Sequence, residues 1–217
     1  MVTIDLITGF LGSGKTTFLK KYAEYLMDQG LHIGILENDF GAINVDMLML
    51  HELRGDQCEL EMVAGGYDAD CHRRRFKTKL IAMGMCGYDR VIVEPSGIFD
   101  VDEFFDVLRE EPLDQWYEIG NVITIMNAKL EDTLSEEAEY LLASEAANAG
   151  CVVLSRSQDA SPEEIAKTRE HLNCALQAVH CSRQFGDEII EKNWEDFTEQ
   201  DLERIQNSGY HVEDYTK

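Results

Sequence analysis

The residues with the clearest chemistry lie near the start of the chain, in Thr8-Gly9-Phe10-Leu11-Gly12-Ser13-Gly14-Lys15-Thr16-Thr17. The stretch reads G-x-x-x-x-G-K-T without a mismatch, a pattern suited to cradling phosphate. Gly9, Gly12 and Gly14 let the backbone wrap an anion without Cβ clashes. Successive N–H groups and the positive end of the following helix then face that anion. Lys15 is a point charge suited to β- and γ-phosphates, and the Thr16 hydroxyl suits a Mg²⁺ shell. Gly12, Ser13, Gly14, Lys15, Thr16 and Thr17 are therefore the expected phosphate-binding residues.

Such a loop needs a strand before it and a helix after it. Residues 2–7 form a β-branched apolar run broken only by Asp5, a buried-strand pattern. Phe18, Leu19, Tyr22, Ala23 and Leu26 recur at helical spacing, and Gly30 is a stop signal. The cleanest strand, 89–94, ends in Glu94 and runs into Pro95-Ser96-Gly97. A carboxylate there can orient Mg²⁺ or its waters, and the Gly97 N–H can contact the terminal phosphate. Residues 32–36 read as another strand, ending in Glu37-Asn38-Asp39-Phe40-Gly41. Polar clusters at carboxyl ends of strands are where open α/β sheets bind ligands.

A weaker strand signal covers 58–63, and further strands are expected at 121–126, 151–154 and 178–181. Helices are expected within 42–54 and at 71–85, Val101–Leu108, 136–149, 162–176 and 199–207. The helix after Ser161-Pro162-Glu163-Glu164 is the best signalled, with an N-cap, a first-turn proline and acidic residues. Alternating strands and helices predict an α/β fold of P-loop NTPase type, a mainly parallel sheet with helices on both faces. Residues 1–185 are expected to form the nucleotide-binding domain, and 186–217 an acidic helical tail.

The 217 residues carry 42 Asp and Glu against 19 Lys and Arg, a formal net charge of −23. That balance argues against nucleic acid or an anionic membrane as partner. No apolar run approaches a membrane span, and the N-terminus lacks the basic region and cleavage site of a signal peptide, so a cytoplasmic location is expected. Six scattered cysteines without a C-x-x-C read as thiols or metal ligands in a reducing compartment.

The loop with its Phe18-Leu19 flank, Glu37-Asn38-Asp39-Phe40-Gly41 and Glu94-Pro95-Ser96-Gly97 resemble, in order and spacing, the CobW-like GTPases. These are metal-handling P-loop GTPases, related to the urease and hydrogenase nickel-insertion GTPases, and the resemblance covers roughly residues 1–180. It implies Mg²⁺-dependent GTP binding and hydrolysis, as a switch assisting delivery of a metal or metal cofactor (Zn, Co or Ni) to a client metalloprotein. A nucleotide-dependent homodimer is compatible with this reading, which leaves the oligomeric state open. By the same resemblance Lys15, Asp39 and Glu94 are catalytic, Thr16, Glu37 and Glu94 hold Mg²⁺, and Gly97 senses the γ-phosphate. Asp39 stands where the family usually has Glu.

Two stretches depart from the family pattern. The family's Cys-x-Cys-Cys becomes Ala64-Gly65-Gly66-Tyr67-Asp68-Ala69-Asp70-Cys71-His72, leaving Cys71 and His72 as candidate transition-metal ligands, with Asp68, Asp70 and Cys58 nearby. Thiolates at the family spacing suit Zn²⁺; one Cys beside one His cannot repeat that geometry. The guanine-reading Asn-Lys-x-Asp becomes Ser155-Arg156-Ser157-Gln158, with Asp159 one residue late. Ser155, Arg156 and Gln158 are the expected base-side contacts. A glutamine accepts one bond from guanine but also presents an NH₂ to its donors, so guanine preference falls and ATP stands beside GTP. The competing reading is a nucleotide-dependent binding module with little or no hydrolysis.

Overall fold

The computed structural model describes residues 1–10, 12–39, 45–64, 68–95, 101–131 and 133–211. They fall into two compact units. The first comprises Met1–Ile7 and Lys15–Gly120, the second Thr8–Gly14 and Asn121–Lys217.

In the first unit the elements are β1 (Val2–Thr8), α1 (Lys15–Asp28), β2 (Ile33–Asp39), α2 (Val45–Leu50) with a 3-10 turn at His51–Leu53, β3 (Cys58–Ala64), α3 (Ala69–Gly84), β4 (Arg90–Pro95), α4 (Val101–Leu108) and the single turn α5 (Leu113–Trp116). The strands lie in the order β3-β2-β4-β1, and every pairing is parallel. Helix α1 buries Phe18, Leu19, Tyr22, Ala23 and Leu26, the residues whose spacing predicts it. The weak signal at 58–63 becomes a full strand because β3 pairs with β2 along its whole length, from Ile33 opposite Cys58 to Asp39 opposite Ala64. Register also aligns the two acidic strand ends: Glu37 lies opposite Glu94 in the β2–β4 pair.

Asp5, the polar interruption in β1, is fully buried. Its Oδ2 accepts from Arg90 Nη1 at 2.6 Å and from the Tyr22 hydroxyl at 3.0 Å. The carboxylate is therefore charge-paired and hydrogen-bonded, the condition for keeping an ion in a core.

Strand β5 (Tyr117–Asn127) has its first four residues in the first unit and the rest in the second, which adds α6 (Glu136–Ala147), β6 (Cys151–Ser155), a 3-10 turn at Ser157–Asp159, α7 (Pro162–Ala178), β7 (Ile189–Ile190), a 3-10 turn at Trp194–Asp196, and α8 (Glu199–Gln206). Strands β5, β6 and β7 are neighbours in that order, again parallel. The capping box on α7 is complete, with Ser161 and Glu164 exchanging backbone bonds and Pro162 in the first turn.

The strand expected at 178–181 does not form. Helix α7 runs through Ala178, its Val179 cap N–H bonds back to Ala175 and Gln177, and His180 turns the chain with a left-handed φ of 62°. The third strand of this unit is instead Ile189–Ile190, paired with Val152 and Val153. Residues expected as a tail thus supply a sheet edge, and α8 buries Leu202 and Ile205. Gly209 N–H, near the end of the described chain, donates to Asn121 Oδ1 at 2.8 Å.

Parallel strands alternating with helices make this the α/β fold of a P-loop NTPase. No helix among the described residues is long and apolar enough to cross a membrane.

Candidate functional site

Within the first unit, Lys15 and Thr16 form the start of α1, each under a tenth exposed. Thr16 Oγ1 donates to Glu94 Oε1 at 2.8 Å. Glu94 ends the buried run of β4, and Glu37 holds the matching position on β2, where partner positions of adjacent strands share a face. Both carboxylates are 2 % exposed. Each has one buried oxygen that accepts no hydrogen bond, Glu37 Oε1 and Glu94 Oε2, although both residues make other interactions. A hydroxyl and two carboxylates, all hard oxygen donors with acceptor capacity to spare, fit Mg²⁺. Thr16, Glu37 and Glu94 are the residues that would hold it.

Asn38, next on β2, is buried with its Oδ1 2.6 Å from His72 Nε2. With the proton on Nε2, the imidazole donates to the amide oxygen; Asn38 Nδ2 is buried without a hydrogen bond. His72 is thus turned into the core toward β2. Cys71, one helix position away and so rotated by about 100°, is partly exposed and lines a groove with Met62, Arg74 and Arg75. Asp68 caps α3, its Oδ1 accepting from Cys71 N–H at 2.7 Å. The candidate ligands Cys71 and His72 therefore face different surroundings. Among the described residues no three His, Cys, Asp or Glu side chains gather as a metal site.

Within the second unit, the segment Thr8–Gly14 is anchored at its start. Thr8 Oγ1 and Thr124 Oγ1 lie 2.8 Å apart, and Thr124 Oγ1 also donates to the Glu145 carbonyl at 3.1 Å. Gly9 follows with φ 138°, and a Cβ there would lie 2.2 Å from the Ile125 carbonyl oxygen, so only glycine fits. Ser13 N–H closes a turn onto the Phe10 carbonyl at 3.0 Å. Gly14, with φ 97°, leads by one peptide bond into Lys15. Ser13 is buried, whereas Gly12 and Thr17 are exposed.

The residues expected on the base side occupy the end of β6 and the turn after it. Ser155 is buried and its hydroxyl donates to the Met126 carbonyl at 3.3 Å. Arg156 adopts a left-handed φ of 55°, and the side chains of Arg156, Gln158 and Asp159 are exposed. Gly97 and the side chain of Asp39 lie outside the described residues. Trp194 escapes the motif pattern altogether. Its only local signal is an aromatic residue shortly after the apolar pair Ile189-Ile190, yet its ring reaches Gly14.

Residues 3–184 match the nucleotide-binding domain of the CobW/HypB/UreG family. This chain belongs to that family. The CobW/HypB/UreG chain is 30% identical over 139 residues to the zinc chaperone YjiA of Escherichia coli, an alignment covering 58% of this chain and 41% of YjiA. It is 21% identical over 199 residues to the zinc-regulated GTPase metalloprotein activator 1 of Schizosaccharomyces pombe, covering 88% of this chain and 48% of that one. It therefore spans less than half the length of either relative. Among solved structures, the hydrogenase maturation factor HypB of Archaeoglobus fulgidus shares the fold with a TM-score of 0.51 at 14% identity, over 82% of this chain and 76% of HypB.

Proposed function

We propose that this CobW/HypB/UreG chain binds and hydrolyses a nucleoside triphosphate, GTP by family, in a Mg²⁺-dependent cycle that assists metal delivery to a client metalloprotein. The single observation that carries the enzymatic half is the Thr16–Glu94 hydrogen bond at 2.8 Å, which joins the phosphate-loop helix to the acidic end of β4. The relatives support the other half, one being a zinc chaperone and the other a zinc-regulated GTPase metalloprotein activator.

In this reading the amides of the glycine-rich loop and Lys15 bind the β- and γ-phosphates and stabilise charge on the transferring phosphoryl group. Bound Mg²⁺ would draw further negative charge from the phosphate oxygens. Glu94 or Asp39 orients a water for attack on the γ-phosphorus; the β–γ bridging P–O bond breaks, and nucleoside diphosphate and phosphate leave. The buried Asn38–His72 contact supports a coupling route, because a shift at the end of β2 reaches the first turns of α3 and the stretch around Cys71.

Phosphate release from GTP and from ATP, with and without Mg²⁺, tests the cycle. The expected result is Mg²⁺-dependent release that Lys15→Ala abolishes. No release above background with either nucleotide would leave a binding module in place of an enzyme. For the metal, equilibrium dialysis against Zn²⁺ with GTP or GDP present should show nucleotide-dependent stoichiometry, and identical stoichiometry in both states would sink the delivery role.

A further inference from the structure

We propose that Trp194 is a stacking platform for the base of the bound nucleotide, set beside Gly14 and Ser155, so that this chain holds its base by an aromatic face rather than by the hydrogen bonds of an Asn-Lys-x-Asp turn. The proposal rests on the nucleotide-binding reading above and concerns only how the base is held.

Topology brings the three residues together. Strand β7 runs parallel to β6 with Val153 opposite Ile190, so both strands leave the sheet at the same end. Strand β6 ends in Ser155, and the chain leaving β7 reaches Trp194 after three intervening residues, Glu191, Lys192 and Asn193. Both arrive at the phosphate loop. A methyl group at Gly14 would lie 2.9 Å from Trp194 Cη2, 3.5 Å from Cζ2 and 3.7 Å from Ser155 Cβ. The benzenoid edge of the indole therefore abuts the last loop residue before Lys15, next to the serine that replaces the first base-reading residue.

The backbone that carries the ring is tied down by local hydrogen bonds. Asn193 Oδ1 accepts from Glu195 N–H at 3.2 Å, and Phe197 N–H bonds to the Trp194 carbonyl at 3.2 Å. Lys192 Nζ pairs with Asp201 Oδ2 at 2.6 Å, linking the residues before the tryptophan to α8, and Asp201 also completes the capping box of α8 with Thr198. A side chain on a preordered backbone turn binds with less ordering cost. Trp194 is half-buried, so part of its surface stays accessible. Gln158 and Asp159, by contrast, are exposed on their turn and replace a bidentate carboxylate with a weaker pattern. Stacking accepts any base with a π-face, so the platform implies affinity for purine nucleotides with little discrimination between guanine and adenine.

Only Trp116 and Trp194 are tryptophans, so Trp116→Phe leaves Trp194 as a sole reporter. GTP and ATP should each quench its emission, and inorganic tripolyphosphate should not. Trp194→Ala should weaken GTP and ATP binding by a similar factor, about 10-fold, leave tripolyphosphate affinity unchanged, and be largely rescued by Trp194→Phe. Unchanged nucleotide affinity in Trp194→Ala would overturn the platform, as would tighter binding, which would make the ring a cover over the site. An equal loss for tripolyphosphate would also overturn it, because the ring would then only support the loop. If the wild-type chain binds none of the three ligands, the nucleotide-binding reading itself fails; if it binds them and Trp194→Ala binds GTP and ATP with wild-type affinity, the platform alone fails.

Discussion

Asp5 interrupts an otherwise apolar strand, and its environment explains why the interruption survives. Its side chain is inaccessible to water and engages Arg90, whose own side chain is 13% exposed. Removing one partner of a buried pair leaves an uncompensated charge, which costs about 3–5 kcal/mol. Asp5→Ala should lower unfolding stability by about that amount in urea titrations, and Asp5→Ala with Arg90→Met should recover part of it. A loss under about 1 kcal/mol would mean that water reaches Arg90 in the variant. The same residue-scale logic separates Asp5 from the two buried acids at the strand ends: Asp5 is neutralised by a guanidinium, whereas Glu37 and Glu94 each bury an oxygen that accepts no hydrogen bond. The first is structural chemistry and the second suits a cation.

At the scale of elements, α8 and the turn before it are braced by one carboxylate. The side-chain bond from Lys192, followed by the Thr198 backbone N–H, pulls the Asp201 carboxyl from its ordinary 3.8 to about 2. A carboxyl depressed in the folded state adds stability that is complete above its unfolded value and is lost as pH falls through its folded one. The Trp194–α8 segment should therefore loosen between pH 4 and pH 2. In a Trp116→Phe background, the emission of Trp194 should shift over that window, and Asp201→Asn should remove the shift. A transition at the same pH in the Asp201→Asn protein would assign it to other groups.

For the molecule as a whole, the charge of −23 is self-repulsion that the fold must overcome. Raising NaCl from 50 to 500 mM shortens the screening length severalfold, so the thermal midpoint should rise with salt; a fall would show that ion pairs outweigh repulsion. Thiol chemistry reads the core in the same way. Burial pushes Cys58 and Cys151 up to about 11, whereas Cys86 and Cys174 are exposed. A thiol reagent at pH 8 should modify Cys86 and Cys174 quickly and leave Cys58 and Cys151 until unfolding. Because the two raised thiols ionise earlier in the unfolded chain, their contribution to stability should decline as pH climbs from about 9 to about 11. Rapid labelling of Cys58 or Cys151 in the native protein would contradict that packing.

What was legible in the residues was local or motif-bound. The phosphate loop, the helix after it, the capping box of Ser161 and Glu164, and the acidic ends of β2 and β4 depend on neighbours a few positions away, so spacing alone defines them. Tertiary structure decided the rest, because local pattern cannot encode a partner that arrives from far along the chain. Residues 58–64 are a strand through pairing with β2, and the apolar stretch at 178 became the end of α7 because Ile189-Ile190 took the place beside β6. His72 carries no sign in the sequence of its bond to Asn38. Nor does Trp194 announce its approach to Gly14, which follows only from two parallel strands ending at the same side of the sheet.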